Sequence, residues 1–215
     1  MNKNNGSGYV TAANTGWDLL YRGDHAGHPL NFRISNGTST TASFDSTPTV
    51  NKYKLDNGQW HHIGISGKRG GAGLVHLYID GNDLGSETFA SISGSISSTG
   101  VFRIGARNDG TVKTLGNIKD VAIYDFGVGG MPGDNGLSII QNIYYQGIYS
   151  ATGLVSKWTF NNTPNDSVGS NNLTLTGSPS YSSNVPSQFT ARTLAGVRTL
   201  IPIARTLAGT RIKVT

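Results

Sequence analysis

Cysteine is absent from the 215-residue chain, which excludes a disulfide scaffold, a cysteine-based zinc site and a thiol nucleophile. Glutamate is nearly absent as well, since Glu87 stands alone. Charged residues supply only 13% of the chain. A helical bundle draws on Glu, Lys, Leu and Ala to sustain its turns, so this shortage argues against one. No apolar run approaches the ~18 residues that a membrane-spanning helix needs. The opening stretch, Met1-Asn-Lys-Asn-Asn-Gly-Ser-Gly, lacks the apolar segment of a signal peptide.

What is present points to strands and turns. Gly contributes 30 residues, and Ser, Thr and Asn fill much of the remainder. Hydrophobic residues still make up 36%, enough for a core in a chain that buries roughly 70% of its unfolded surface. The formal charge of +5 is unevenly placed: residues 1–190 balance 12 cations against 12 acids, and Arg192, Arg198, Arg205, Arg211 and Lys213 face no acid in 191–215. The basic character belongs to a tail.

Strand signals recur at short intervals between turn residues. They cover Gly16–Arg22, Leu30–Ser35, Gln59–Ser66, Leu74–Asp80, Val101–Ala106, Ile118–Asp125, 154–160 and 172–176. Asp56-Asn-Gly58 reads as a turn, and Asp80-Gly81 as a tight hairpin, because a two-residue type I′ turn needs positive φ. Leu137, Ile140 and Tyr144 fall at helical spacing, which predicts a short helix over Leu137–Tyr145. Many short strands with Gly-rich turns predict a sandwich or barrel.

Three stretches carry a family resemblance. The first is Asp56-Asn-Gly-Gln-Trp60-His61-His62-Ile63 followed by Leu77-Tyr78-Ile79-Asp80-Gly81. The second is Phe102-Arg103-Ile104-Gly105 leading to Gly116 and Ile118-Lys119-Asp120-Val121-Ala-Ile123-Tyr124. The third is Gly153-Leu-Val-Ser-Lys-Trp158-Thr-Phe160, then Asp166-Ser167-Val-Gly169 and Asn171-Asn-Leu173. Together they resemble the laminin-G-like, concanavalin A-like lectin/glucanase jelly rolls. The resemblance implies an all-β, antiparallel jelly-roll β-sandwich over residues 1–190, to which a short helix and an extended C-terminal arm are added. In the family the third stretch opens the domain, whereas here it comes last. A permuted order is therefore expected, with 153–177 supplying the family's first strands and 154–160 pairing beside 118–124 to close the same sheet.

Glycoside hydrolysis needs two carboxylates across the scissile bond. The family's E-x-D-x-x-E strand is missing, and no G-x-S-x-G elbow is present, so the expectation is a protein that is not an enzyme. His61 and His62 are successive strand residues and point to opposite faces. His25 and His28, beside Arg22-Gly23-Asp24, are accounted for by a polar loop. The resemblance further implies a calcium cage from Asp120, Asp166 and Asn171, completed by backbone carbonyls; the alternative reading has Asp166 capping its own turn. Tyr144, Tyr145 and Tyr149, taken as exposed, are candidates for stacking on a glycan. The same rings could equally pack a helix onto the sandwich.

The arm contains a repeat: ARTLAGVRTLIP and ARTLAGTRIKVT align at a period of 13, with seven identical positions in twelve. Its aliphatic residues, Leu194 and Leu207 among them, cannot offset the cost of ordering unless a neighbour pairs with them. A docking arm in a homo-oligomer or other assembly is expected. Nucleic acid is the poorer partner, because the arm has no aromatic for base stacking, and no membrane insertion is expected. These features match bacteriophage virion proteins that decorate capsids, fibres or tails and display a lectin-like domain to host glycans. The alternative is a secreted carbohydrate-binding or adhesin module of a larger protein, working outside the cell.

Overall fold

The computed structural model of the chain describes residues 1–4, 10–11, 13–21, 30–38, 42–45, 55–68, 73–89, 92–127, 133 and 135–186. The arm at 191–215, with its arginines and leucines, lies outside the described residues. So do His25, His28 and the Arg22-Gly23-Asp24 tripeptide.

Two antiparallel sheets face one another. The first runs in the order β1 (Asn2–Asn4), β2 (Thr15–Tyr21), β3 (Leu30–Asn36), β4 (Ala42–Asp45). The second runs β5 (Ile63–Gly67), β6 (Leu74–Ile79), β7 (Asn82–Thr88). Alternation decides what each face meets. Leu30 and Ile34 of β3 join Val75, Leu77 and Ile79 of β6, with Phe89 and Ile92, in one buried cluster. Trp17, Leu19, Phe32, Ile63 and Ile65 pack against it. This is the inter-sheet core of a β-sandwich, as the strand spacing leads one to expect.

The outer face of the first sheet is polar but buried. Asp18 sits opposite Arg33 in the β2–β3 ladder and is fully buried. Its carboxylate accepts Arg33 Nε at 3.0 Å, Arg33 Nη2 at 2.8 Å and the Val10 amide at 2.7 Å. Burial pushes the Asp18 carboxyl above its ordinary value, while the Arg33 guanidinium and the Val10 N–H pull it back.

Helix α1 (Leu137–Gln146) covers the outer face of the second sheet. Residues 62, 64 and 66 of the β5 region alternate toward it. Gly64 leaves room for Ile140, whose Cδ1 occupies the space that a Cβ would need. Tyr78 donates to the Asn135 carbonyl at 3.1 Å, and Ser66 hydrogen-bonds the same oxygen. The Asp80-Gly81 hairpin closes with Ile79 opposite Asn82, and both turn residues have positive φ, 51° and 75°. The predicted type I′ geometry is present.

A third, two-stranded ribbon pairs β8 (Val121–Tyr124) with β9 (Leu154–Trp158), antiparallel. The expected pairing of 154–160 beside 118–124 is found, but the expected closing of the same sheet is not: among the described residues the two strands form a ladder of their own. Its buried side joins the sandwich through aromatics: Trp158 meets Phe102 at 5.5 Å and Phe102 meets Trp17 at 5.8 Å between ring centroids.

Two predicted strands do not form. Val101–Ala106 bends at Gly105, where φ is +79°, and then closes a short loop. Thr114 N donates to Gly105 O, Arg107 N to Val112 O, and Ala106 bridges Lys113. The threonine–leucine alternation of 172–176 finds no partner strand among the described residues, and its chain runs largely exposed. Alternation creates a strand only where a neighbour answers the backbone groups.

Candidate functional site

The β8–β9 ribbon presents its other face outward. Ala122 and Tyr124 lie on that face of β8, and Lys157 stands opposite Ala122 in the ladder. The loop entering β9 brings Tyr149 against them. Lys157 Nζ sits 3.5 Å from the Tyr149 ring centroid, a cation–π contact. Tyr124 stacks on Phe126 at 5.8 Å with an interplanar angle of 12°. At the end of the ribbon Lys119 Nζ donates to Asn161 Oδ1 at 2.8 Å and stands 3.7 Å from Asp120.

Electrostatics tie these groups into one patch. Burial raises the Tyr149 phenol far above its ordinary value, and Asp120 and Tyr124 add to the rise. Burial lowers the Lys157 ammonium, with Asp120 opposing and Lys119 assisting. Asp120 adopts φ +52° and Phe160, just past the other strand, φ +54°. Such strain in non-glycine residues is retained where the surroundings over-determine it. The Tyr124 hydroxyl is buried and has no hydrogen-bond partner among the described residues, an exception to the rule that buried polar groups are paired.

The sequence singled out six residues for calcium or glycan, and the fold distributes them over three places. Asp120 and Tyr149 meet at the ribbon patch. Asp166 and Asn171 belong to the turn along β9. There the Asp166 carboxylate accepts backbone N–H groups from Lys157, Val168 and Gly169, each at 3.0 Å, and from Asn171 at 3.2 Å. Burial alone would raise that carboxyl, but these bonds outweigh it and hold the group well below its ordinary range. Asn171 accepts Trp158 Nε1 on its carbonyl at 2.8 Å and donates from its side chain to Ser156 Oγ at 2.7 Å.

This donor set does not fit a calcium cage. The ion wants six to eight free oxygens, and here the carboxylate and the carbonyl already answer protein N–H groups. Among the described residues no cluster of three or more His, Asp or Glu converges for a metal. The turn-cap reading describes what Asp166 does.

Tyr144 and Tyr145 need a correction. Tyr144 is buried, 8% exposed, and is no open platform. It packs 5.8 Å from the His62 ring and edge-on to Tyr145 at 4.8 Å. A Cβ on Gly81 would lie 2.7 Å from Tyr144 and 3.2 Å from Tyr145. Both rings therefore clamp α1 onto the hairpin.

The histidines diverge as alternation requires. His61 Nδ1 pairs with Asp80 Oδ2 at 2.8 Å, whereas His62 turns inward, its Nδ1 buried and unpartnered among the described residues. Burial lowers His62 to about 4, with Asp80 opposing. Sequence reasoning missed Lys157, Tyr124 and Phe126. The only available signal was the β8–β9 pairing, which places Lys157 and Tyr124 on one face.

Residues 1–127 match the family described as the concanavalin A-like lectin/glucanases superfamily. The match includes Lys119, Asp120, Tyr124 and Phe126, and it stops short of Tyr149 and Lys157. No curated protein and no solved structure matches the chain.

Proposed function

The chain belongs to the concanavalin A-like lectin/glucanases superfamily, and from that premise we propose that it is a non-catalytic carbohydrate-binding domain whose contact surface is the outer face of the β8–β9 ribbon. The observation that carries this reading is the grouping of Tyr124, Phe126 and Tyr149 with Lys119, Asp120 and Lys157 on one side of a short ladder. Sugar rings offer C–H faces to aromatics and hydroxyls to charged groups, and ligand sites combine those two features. The reading without catalysis is supported by the carboxylates elsewhere. Glu87 is exposed on β7, and Asp80 and Asp83 are each engaged by a histidine, His61 at 2.8 Å and His76 at 2.9 Å.

Screening the full chain on immobilised glycans, followed by calorimetry on the best ligand, tests the reading. Tyr149→Ala, with thermal unfolding as a folding control, weakens that ligand about tenfold, the scale of one aromatic contact. Unchanged affinity in a folded Tyr149→Ala protein removes the patch from the reading. Release of reducing ends from any bound glycan overturns the non-catalytic part.

The charge segregation favours a second role. All of the excess cations lie in 191–215, beside the repeat, and we propose this arm as the docking element of an extracellular or virion assembly. Removing 191–215 then abolishes self-association in sedimentation while sugar binding survives.

A further inference from the structure

The patch also carries information about the charge of its ligand. Lys119 has partners, Asn161 at 2.8 Å and Asp120 at 3.7 Å. Lys157 is placed differently. Its backbone is fixed at both ends: the amide donates to Asp166 Oδ1, and the carbonyl accepts Ser167 N and Ser167 Oγ, each at 2.8 Å. Its side chain is then held over the Tyr149 ring at 3.5 Å. No carboxylate among the described residues stands within ion-pair distance of its Nζ.

Lys119 and Asp120 neutralise one another, so the patch holds one surplus positive charge, on Lys157. A lysine side chain is flexible and loses much rotamer freedom when it grips a ligand. Here the ring contact and the anchored backbone have already restricted it. The ring occupies one side of the ammonium and leaves other N–H donors for an acceptor. Neutral sugar hydroxyls would satisfy those donors, but a carboxylate adds the attraction of an opposite charge to the hydrogen bond.

From this the geometry points to an acidic sugar as the preferred ligand, one whose carboxylate docks on Lys157 while its ring lies beside Tyr149. The inference rests on the carbohydrate-binding reading and narrows it to a ligand class.

The test compares oligogalacturonate with a neutral galacto-oligosaccharide of equal length, by calorimetry on the full chain at low and high salt. A sulfated galacto-oligosaccharide forms a third arm. The acidic sugar binds about tenfold more tightly than the neutral one at low salt. The advantage shrinks at high salt as screening takes hold. Lys157→Gln, checked for folding by its thermal transition, weakens the acidic sugar by a larger factor than the neutral one, so that the tenfold acidic preference is lost. Oligogalacturonate ahead of the sulfated sugar supports carboxylate as the group read, and equal affinity for the two overturns that assignment.

Equal binding of neutral and acidic sugars overturns the inference and leaves the carbohydrate reading intact. Failure of all three sugars, with no glycan retained in the wider screen, sinks both. An acidic preference that persists in folded Lys157→Gln overturns the role of this residue.

Discussion

Two polar clusters share strand β9, and they differ in how completely their hydrogen-bonding groups are answered. In the Asp166 turn, four backbone N–H groups converge on one carboxylate, and Asn171 and Ser156 complete the network. On the ribbon's outer face, among the described residues, Lys157 has a ring against it and no carboxylate within ion-pair distance, Asp120 acting on it only from further off, and the Tyr124 hydroxyl has no acceptor or donor. A satisfied network rigidifies, while an unsatisfied one stores free energy that a ligand can recover. Lys157 belongs to both, its backbone to the first and its side chain to the second. The turn is scaffold, and in the proposed function the patch is the surface for recognition.

The largest test of this contrast is Asp166→Ala. It strips four half-buried N–H groups of their acceptor at once, each worth on the order of 1 kcal/mol. A loss of at least about 3 kcal/mol in urea unfolding is expected, and a loss below about 1 would erase the distinction between turn and patch. Acid probes the same group. Its folded value is held below the ordinary 3.8, so its contribution is complete above that pH and fades as pH falls further.

A smaller effect sharpens the comparison from the helix side. His62 Nδ1 is another orphaned buried atom, but one that titrates. Its folded value of about 4 lies below the ordinary 6.5. Between those limits the unfolded chain holds more protons, so stability falls as pH drops through the window. The expected loss from pH 7 to 4 is on the order of 2 kcal/mol. His62→Phe keeps the ring against Tyr144 and flattens the profile, as urea unfolding at both pH values will read. An unchanged slope assigns the acid sensitivity elsewhere.

The smallest effect has the opposite sign. Tyr124→Phe removes the unpaired hydroxyl and leaves the ring stacked on Phe126, so thermal unfolding shifts upward by the equivalent of about 1 kcal/mol. A destabilised variant would mean that the hydroxyl is already answered, and the patch would then resemble the turn.

The particular residues show how much of this was legible beforehand. Asp80-Gly81 could be read as a hairpin because type I′ geometry is a local demand, met by two residues with positive φ. The helix read over Leu137–Tyr145, found at Leu137–Gln146, was legible because its apolar spacing is local too. Val101–Ala106 and 172–176 misled because alternation says nothing about whether a partner strand exists. The surroundings of Asp166 and Tyr144 were hidden for a related reason. Residue type and order could not reveal that Asp166 faces four N–H groups, or that Tyr144 faces Gly81 and His62.

The sequence alone determined the class of the molecule: few charges, abundant Gly and β-formers, and alternating runs leave an antiparallel sandwich as the way to bury that core. The tertiary structure alone decided which polar groups became scaffold and which stayed open. That outcome depends on distances of about 3 Å, from Asp166 to its N–H donors in the turn and from Lys157 to the Tyr149 ring on the ribbon. The pairing of β9 with β8 sets which side chains turn in, with Trp158 against Phe102, and which, like Lys157, turn out.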